Sequence, residues 1–139
     1  GKAVDLIDGQ DVTIMATGIM VNEALNAAVE LESKGISARV INMFTIKPID
    51  AEAIIKAAME TGAIVTCENH NIINGLGSAV AEVIVENYPV PMERVGVKDL
   101  FGEVGPESYL RERFGLTSRE IINKVERVLE RKERGCYSV

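Results

Sequence analysis

Short apolar runs alternate along this chain with longer stretches in which apolar residues return every three or four positions. A run of four to six apolar residues is short for a helix but sufficient for a buried strand. The three-to-four spacing instead places its apolar side chains on one face of a helix. Their alternation predicts strands joined by crossover helices, an α/β architecture around a mostly parallel sheet. Strands are expected over residues 3–7, 12–16, 38–43, 63–67 and 94–97, the central ones almost wholly apolar because both of their faces are covered. Asp8-Gly9 predicts a hairpin-like turn between the first two.

The first helix is expected over residues 21–34. Val21, Ala24, Leu25, Ala28 and Leu31 share one face, Asn and Glu occupy the other, and Gly35 supplies a left-handed stop. The second opens at Asp50, whose carboxylate can accept from the free amides of the first turn, with Ile49 and Ile54 placed to staple across it and Gly62 ending it. A third follows the turn Gly75-Leu76-Gly77-Ser78, carries Val80, Val83, Ile84 and Asn87 on one stripe, and stops before Pro89. For the last helix, Thr117 and Glu120 read as a capping box and Leu116 with Ile121 as a staple. Its stripe is Ile121, Ile122, Val125, Val128 and Leu129.

Composition narrows the function classes. At 139 residues and 47% hydrophobic content the chain is the size of one domain with one core. With 4% aromatics and no Trp, that core is aliphatic, and a base-stacking nucleic-acid module is disfavoured. A formal net charge of -6 also repels phosphate backbones and anionic lipid, so neither nucleic acid nor membrane is expected as a partner. The charged stretch 127–134 alternates in sign and reads as a solvated helical face. Cys67 and Cys136 form neither a disulfide framework nor a zinc pattern, which points to a reducing, cytoplasmic setting. No apolar run is long enough to span a bilayer and no leader pattern opens the chain; a start at Gly1 fits an excised fragment, a tag remnant or a removed Met. Met15, Met20, Met43, Met59 and Met92 are expected to pack.

In an open parallel sheet, ligands bind beyond the carboxyl ends of the strands, where loops and helix N-termini converge. Thr17-Gly18, Asn42-Met43-Phe44-Thr45 and Glu68-Asn69-His70 should meet there, with Gly75-Leu76-Gly77-Ser78 leading into a helix. Gly75, Gly77 and Ser78 can present free amides to an anion, yet the turn lacks the Lys of a P-loop and the third Gly of a dinucleotide fingerprint. Close helix-to-strand packing explains these glycines equally well. Glu68 and His70 are the acid and imidazole sharing one loop, and His70 is the sole histidine, so a general base near neutral pH would fall there. One His and one Glu are too few for an ordinary metal site, and Cys67 on its strand packs more readily than it attacks. A Gly-x-Ser-x-Gly elbow is missing, which sets hydrolase chemistry aside.

Three segments carry a family resemblance: Asp11-Val12-Thr13-Ile14-Met15-Ala16-Thr17-Gly18; Ala38-Arg39-Val40-Ile41-Asn42-Met43-Phe44-Thr45-Ile46-Lys47-Pro48-Ile49-Asp50; and Glu68-Asn69-His70 before Gly75-Leu76-Gly77-Ser78-Ala79-Val80. Their order and spacing, continuing through Val95-Gly96-Val97 and Phe114-Gly115-Leu116, resemble the C-terminal domain of transketolases from Gly9 onward. One branch of that family has a further Gly where this chain has Asn74. The same domain closes 1-deoxyxylulose-5-phosphate synthases and the beta subunits of 2-oxo acid dehydrogenases; the acid-x-His followed by glycines favours transketolase.

The resemblance implies a three-layer α/β/α fold with a five-stranded mixed, mostly parallel sheet whose first strand is antiparallel to the rest. It implies a non-catalytic structural domain of an enzyme of the pentose phosphate pathway that moves a two-carbon ketol unit between sugar phosphates. Thiamine diphosphate and Mg2+ would lie in the preceding domains or a partner subunit, across a homodimer interface, with no cofactor ligand here and no activity in the isolated domain. Thr17, Gly18, Glu68, Asn69, His70, Gly75, Gly77 and Ser78 then form an anion or interface loop set. Three other readings stand beside this one. The first is a synthase or dehydrogenase parent, the latter receiving an acyltransferase partner. The second is a free-standing nucleotide- or anion-binding module of flavodoxin-like build, and the third a small enzyme using Glu68, His70 and Cys67.

Overall fold

The computed structural model describes residues 2–44, 47–69, 75–97 and 107–136. In chain order the elements are β1 (Val4–Ile7), β2 (Val12–Ala16), α1 (Met20–Ser33), β3 (Ala38–Asn42), α2 (Ala51–Thr61), β4 (Ile64–Asn69), α3 (Leu76–Asn87), β5 (Met92–Val97) and α4 (Glu107–Cys136). The strands form one five-stranded sheet in the order β1-β3-β2-β4-β5. Strands β2 to β5 run parallel and β1 runs antiparallel to β3. The mixed sheet implied by the resemblance is therefore present. The hairpin-like start is corrected, because β3 inserts between β1 and β2 and the two consecutive strands do not pair. Gly9 carries the chain across: a Cβ there would lie 2.3 Å from the backbone carbon of Ala38, so only Gly fits.

β2 lies at the centre and is fully buried. Its residues Val12, Ile14 and Ala16 enter the cluster beneath α1 and α4, while Met15 enters the cluster beneath α2 and α3. The period of two thus feeds two apolar layers, and the sheet becomes the middle of three. Asp50 caps α2 as expected, its carboxylate accepting from the Ala53 amide at 3.1 Å, and Gly62 ends the helix at φ 70. The second Asp50 oxygen accepts from the Ala3 amide at 2.9 Å and fastens the start of the chain.

Four further expectations change. Helix α4 starts at Glu107, so Thr117 lies in its interior and is buried, and the capping box does not form. In α3, Leu76, Gly77 and Ser78 are the first helical turn rather than a preceding turn, and Asn87 is exposed, its amide donating to the Val83 carbonyl. Met59 is exposed on α2. The charged stretch of α4 also docks: Arg131 donates to the Met92 carbonyl and pairs with Glu93, while Lys132 donates to the carbonyls of Thr61 at 2.6 Å and Asp11 at 3.1 Å. A long cationic side chain reaches past its own helix surface and finds the free carbonyls at an element end. Among the described residues no helix is long and apolar enough to cross a membrane.

Candidate functional site

The carboxyl ends of the parallel strands are laced together by backbone bonds. Met43 N–H donates to the Ala16 carbonyl at 2.9 Å, and Thr17 N–H donates to the Cys67 carbonyl at 3.3 Å. Thr17 and Gly18 then turn the chain into α1, Gly18 adopting φ 53, and their carbonyls accept from the Met20 and Val21 amides. The loop expectations for Thr17-Gly18 and for residues after β3 therefore meet at one edge, where Phe44 is 62% exposed. Thr45 and His70 lie outside the described residues.

Glu68 and Asn69 belong to β4 rather than to a loop, opposite Gly96 and Val97 of β5. Glu68 is buried, and its two carboxylate oxygens accept from the amides of Leu76 at 3.0 Å and Gly77 at 2.6 Å. A strand-borne carboxylate thus caps α3 from a neighbouring element, satisfying two amides that have no partner within the helix and complementing its dipole. Those two amides, which the sequence offers to an external anion, are taken by the chain's own charge. Above them lies Arg94 of β5, whose Nη2 donates to the Ser78 hydroxyl at 3.3 Å. A Cβ at Gly77 would stand 2.3 Å from Arg94 Nε, so Gly77 makes room for the guanidinium. Gly75 is the N-cap residue, outside the helical turn.

Cys67 is fully buried in the α1/α4 layer. Burial, with Glu23 and Glu68 nearby, pushes its thiol up to about 12, so it stays protonated and does not serve as a nucleophile near neutral pH. Glu23 itself is the acid that the periodicity assigns to the polar face. It is buried on α1, its carboxylate accepting from the Ser118 hydroxyl of α4 at 2.6 Å, and burial raises its pKa against that hydrogen bond. Its position three residues after Met20 and next to Ala24 puts it at the margin of the apolar face, and the packing of α4 against α1 is what buries it. Among the described residues no group of three or more His, Cys, Asp or Glu is arranged to hold a metal ion. The edge is built to hold its own shape and to present Thr17, Gly18 and Phe44 outward.

Fold and edge together define a three-layer α/β/α domain around a five-stranded mixed sheet, and comparison with known proteins names the family. The model of the transketolase C-terminal domain matches residues 1–121, and the chain belongs to that family. It is 59% identical over 132 residues to the 6-deoxy-6-sulfo-D-fructose transketolase subunit SqwH of Clostridium sp. strain MSTE9, covering 95% of this chain and 41% of that relative. It is 42% identical over 140 residues to the 1-deoxy-D-xylulose-5-phosphate synthase of Heliobacterium modesticaldum, covering all of this chain and 22% of that one. Among solved structures, a split-gene transketolase in an inactive beta4 tetramer superposes with a TM-score of 0.79 at 50% identity, over 93% of this chain and 41% of that chain. The chain thus spans less than half the length of these relatives.

Proposed function

We propose that this domain completes an enzyme that transfers a two-carbon ketol unit from a ketose phosphate to an aldose phosphate, working in the cytoplasm in the pentose phosphate pathway as a homodimer. The observation that carries this reading is the similarity to transketolase subunits across 95% of the chain. The capped α3 start and the outward Phe44 give the domain its part, which is to present a rigid strand-end edge to the preceding domains or a separate partner subunit.

Thiamine diphosphate with Mg2+ would supply the carbanion chemistry of such an enzyme. The described residues do not fit that group: the α3 amides that suit a diphosphate already hold Glu68, and no donor set for the cation is assembled. In this reading the cofactor belongs to the preceding domains or a partner subunit. Thr17, Gly18, Asn69, His70 and Ser78 then serve the interface, while the buried Glu68, Gly75 and Gly77 hold the α3 start in place behind it.

The test is ketol transfer from xylulose 5-phosphate to ribose 5-phosphate by the complete polypeptide, with any separately encoded subunit, thiamine diphosphate and magnesium. Because one relative is named for 6-deoxy-6-sulfo-D-fructose, that sugar is included as a second donor. Transfer by the complete assembly, with none from this chain alone, supports the proposal. A parallel reaction is given pyruvate and glyceraldehyde 3-phosphate; formation there of 1-deoxyxylulose 5-phosphate with release of carbon dioxide would move the assignment to the synthase branch, which the 42% identity also supports.

A further inference from the structure

At one lateral edge of the sheet lies β1, which among the described strands pairs with β3 alone. Its Ile7 side chain packs against the α1/α4 layer. Val4 lies opposite Asn42 and Ile7 opposite Val40, which places both on the α1 side of the sheet, and Val4 and Leu6 are each 42% exposed. An edge strand with open backbone groups and exposed apolar side chains is a template for another strand unless something covers it.

Beside the end of β1, where α1 finishes and β3 begins, a hollow of about 320 Å³ is floored by Ile7, Val29 and Ile36 and rimmed by Asp8 and Glu32, with no basic side chain in its lining. The Arg39 guanidinium nearby is shared between Glu60 at 2.7 Å and Asp8 at 3.4 Å. Arg39 lies outside the lining and sits closer to Glu60 than to Asp8, so the two lining carboxylates Asp8 and Glu32 leave this rim negative, and its complement is an apolar stem ending in a positive charge.

We propose that the open edge of β1 and the hollow beside it take an extended basic segment of a partner protein, which adds to the sheet as a sixth strand. Main-chain bonds to β1 supply the affinity, and a Lys or Arg of the segment lays its stem on Val29 and Ile36 with its head between Asp8 and Glu32. The hollow lies at the amino ends of the parallel strands, away from the strand-end edge assigned above, so the proposal does not depend on the ketol-transfer reading.

The test titrates the isotope-labelled 139-residue chain, by amide chemical shift at low salt, with the acetylated and amidated peptide Lys-Val-Lys-Val-Lys-Val. Shifts are expected from Val4 to Ile7 and from Gly35 to Ser37. They should weaken roughly three- to tenfold in affinity in the double variant Asp8→Asn with Glu32→Gln, since exposed charge pairs each contribute a fraction of a decade. N-methylation of alternate peptide amides should abolish them in one of its two registers. Equal binding of the Glu counterpart, shifts confined to other surfaces, or no shift at about millimolar peptide overturns the proposal. Self-association of the chain through β1 without any peptide response also overturns it, making a second copy the occupant.

Discussion

At the scale of single residues, two buried groups take their properties from the apolar layer around them. Glu23 is held as an acid in the apolar layer with its carboxylate on the Ser118 hydroxyl. Its pKa is raised in the folded chain by burial, so the folded state holds the proton more tightly than the unfolded one. The stability linked to that proton is complete below the ordinary carboxylate range and is lost as pH rises through the raised value. Glu23→Gln keeps an acceptor for Ser118 and removes the charge, so it should melt higher than the parent at pH 7, with the difference shrinking on acidification. Thermal unfolding across pH 4 to 8 checks this, and a lower melting temperature at every pH would refute it. For Cys67, full burial and a thiol pushed up to about 12 predict resistance to iodoacetamide at pH 8 until the chain unfolds. Mass spectrometry of the labelled protein reads this directly; rapid alkylation of the folded chain would contradict the burial.

At the scale of elements, Glu68 explains why α3 begins where it does. Gly75-Leu76-Gly77-Ser78 lacks a side-chain cap of its own, and the missing acceptor comes from the adjacent strand. Glu68→Ala leaves two amides unpaired and is expected to cost about 2–4 kcal/mol in chemical denaturation. Glu68→Gln, which retains one good acceptor, should cost roughly half of that. An Ala variant as stable as the parent would show that the cap contributes nothing. This relation was not legible in the sequence, because a capping acid eight residues upstream on another element has no fixed spacing. The Asp50 cap was legible, since it lies three residues before the amide it serves. Thr117 shows the converse: the local pattern of a capping box was real in the letters, but the helix had already begun at Glu107.

At the scale of the whole molecule, α4 completes the core rather than decorating it. Ile122, Val125 and Val128 are buried in the same layer as Val12, Ile14 and Val65, although the matched family model ends at residue 121. The charged residues between them hold the helix down, through Arg131 and Glu93 and through Lys132 on the Thr61 and Asp11 carbonyls. Deleting residues 122–139 should therefore remove cooperative unfolding, because burying large aliphatic side chains contributes about 1.5–3 kcal/mol each against a domain stability of only about 5–15 kcal/mol. Circular dichroism with heating checks it, and a truncated chain with a sharp transition would place the core boundary at residue 121.

Local order by itself determined the strands, the crossover helices, the Asp50 cap, the Gly62 stop and the family. Each of these depends on spacing within one element or on the order of segments along the chain. Tertiary structure alone decided that β3 lies between β1 and β2, that Glu23 is buried, that Glu68 rather than a ligand occupies the α3 start, and that the charged face of α4 is docked. Those four depend on partners many residues apart, and periodicity identifies the face on which a side chain lies without identifying what the fold brings against it.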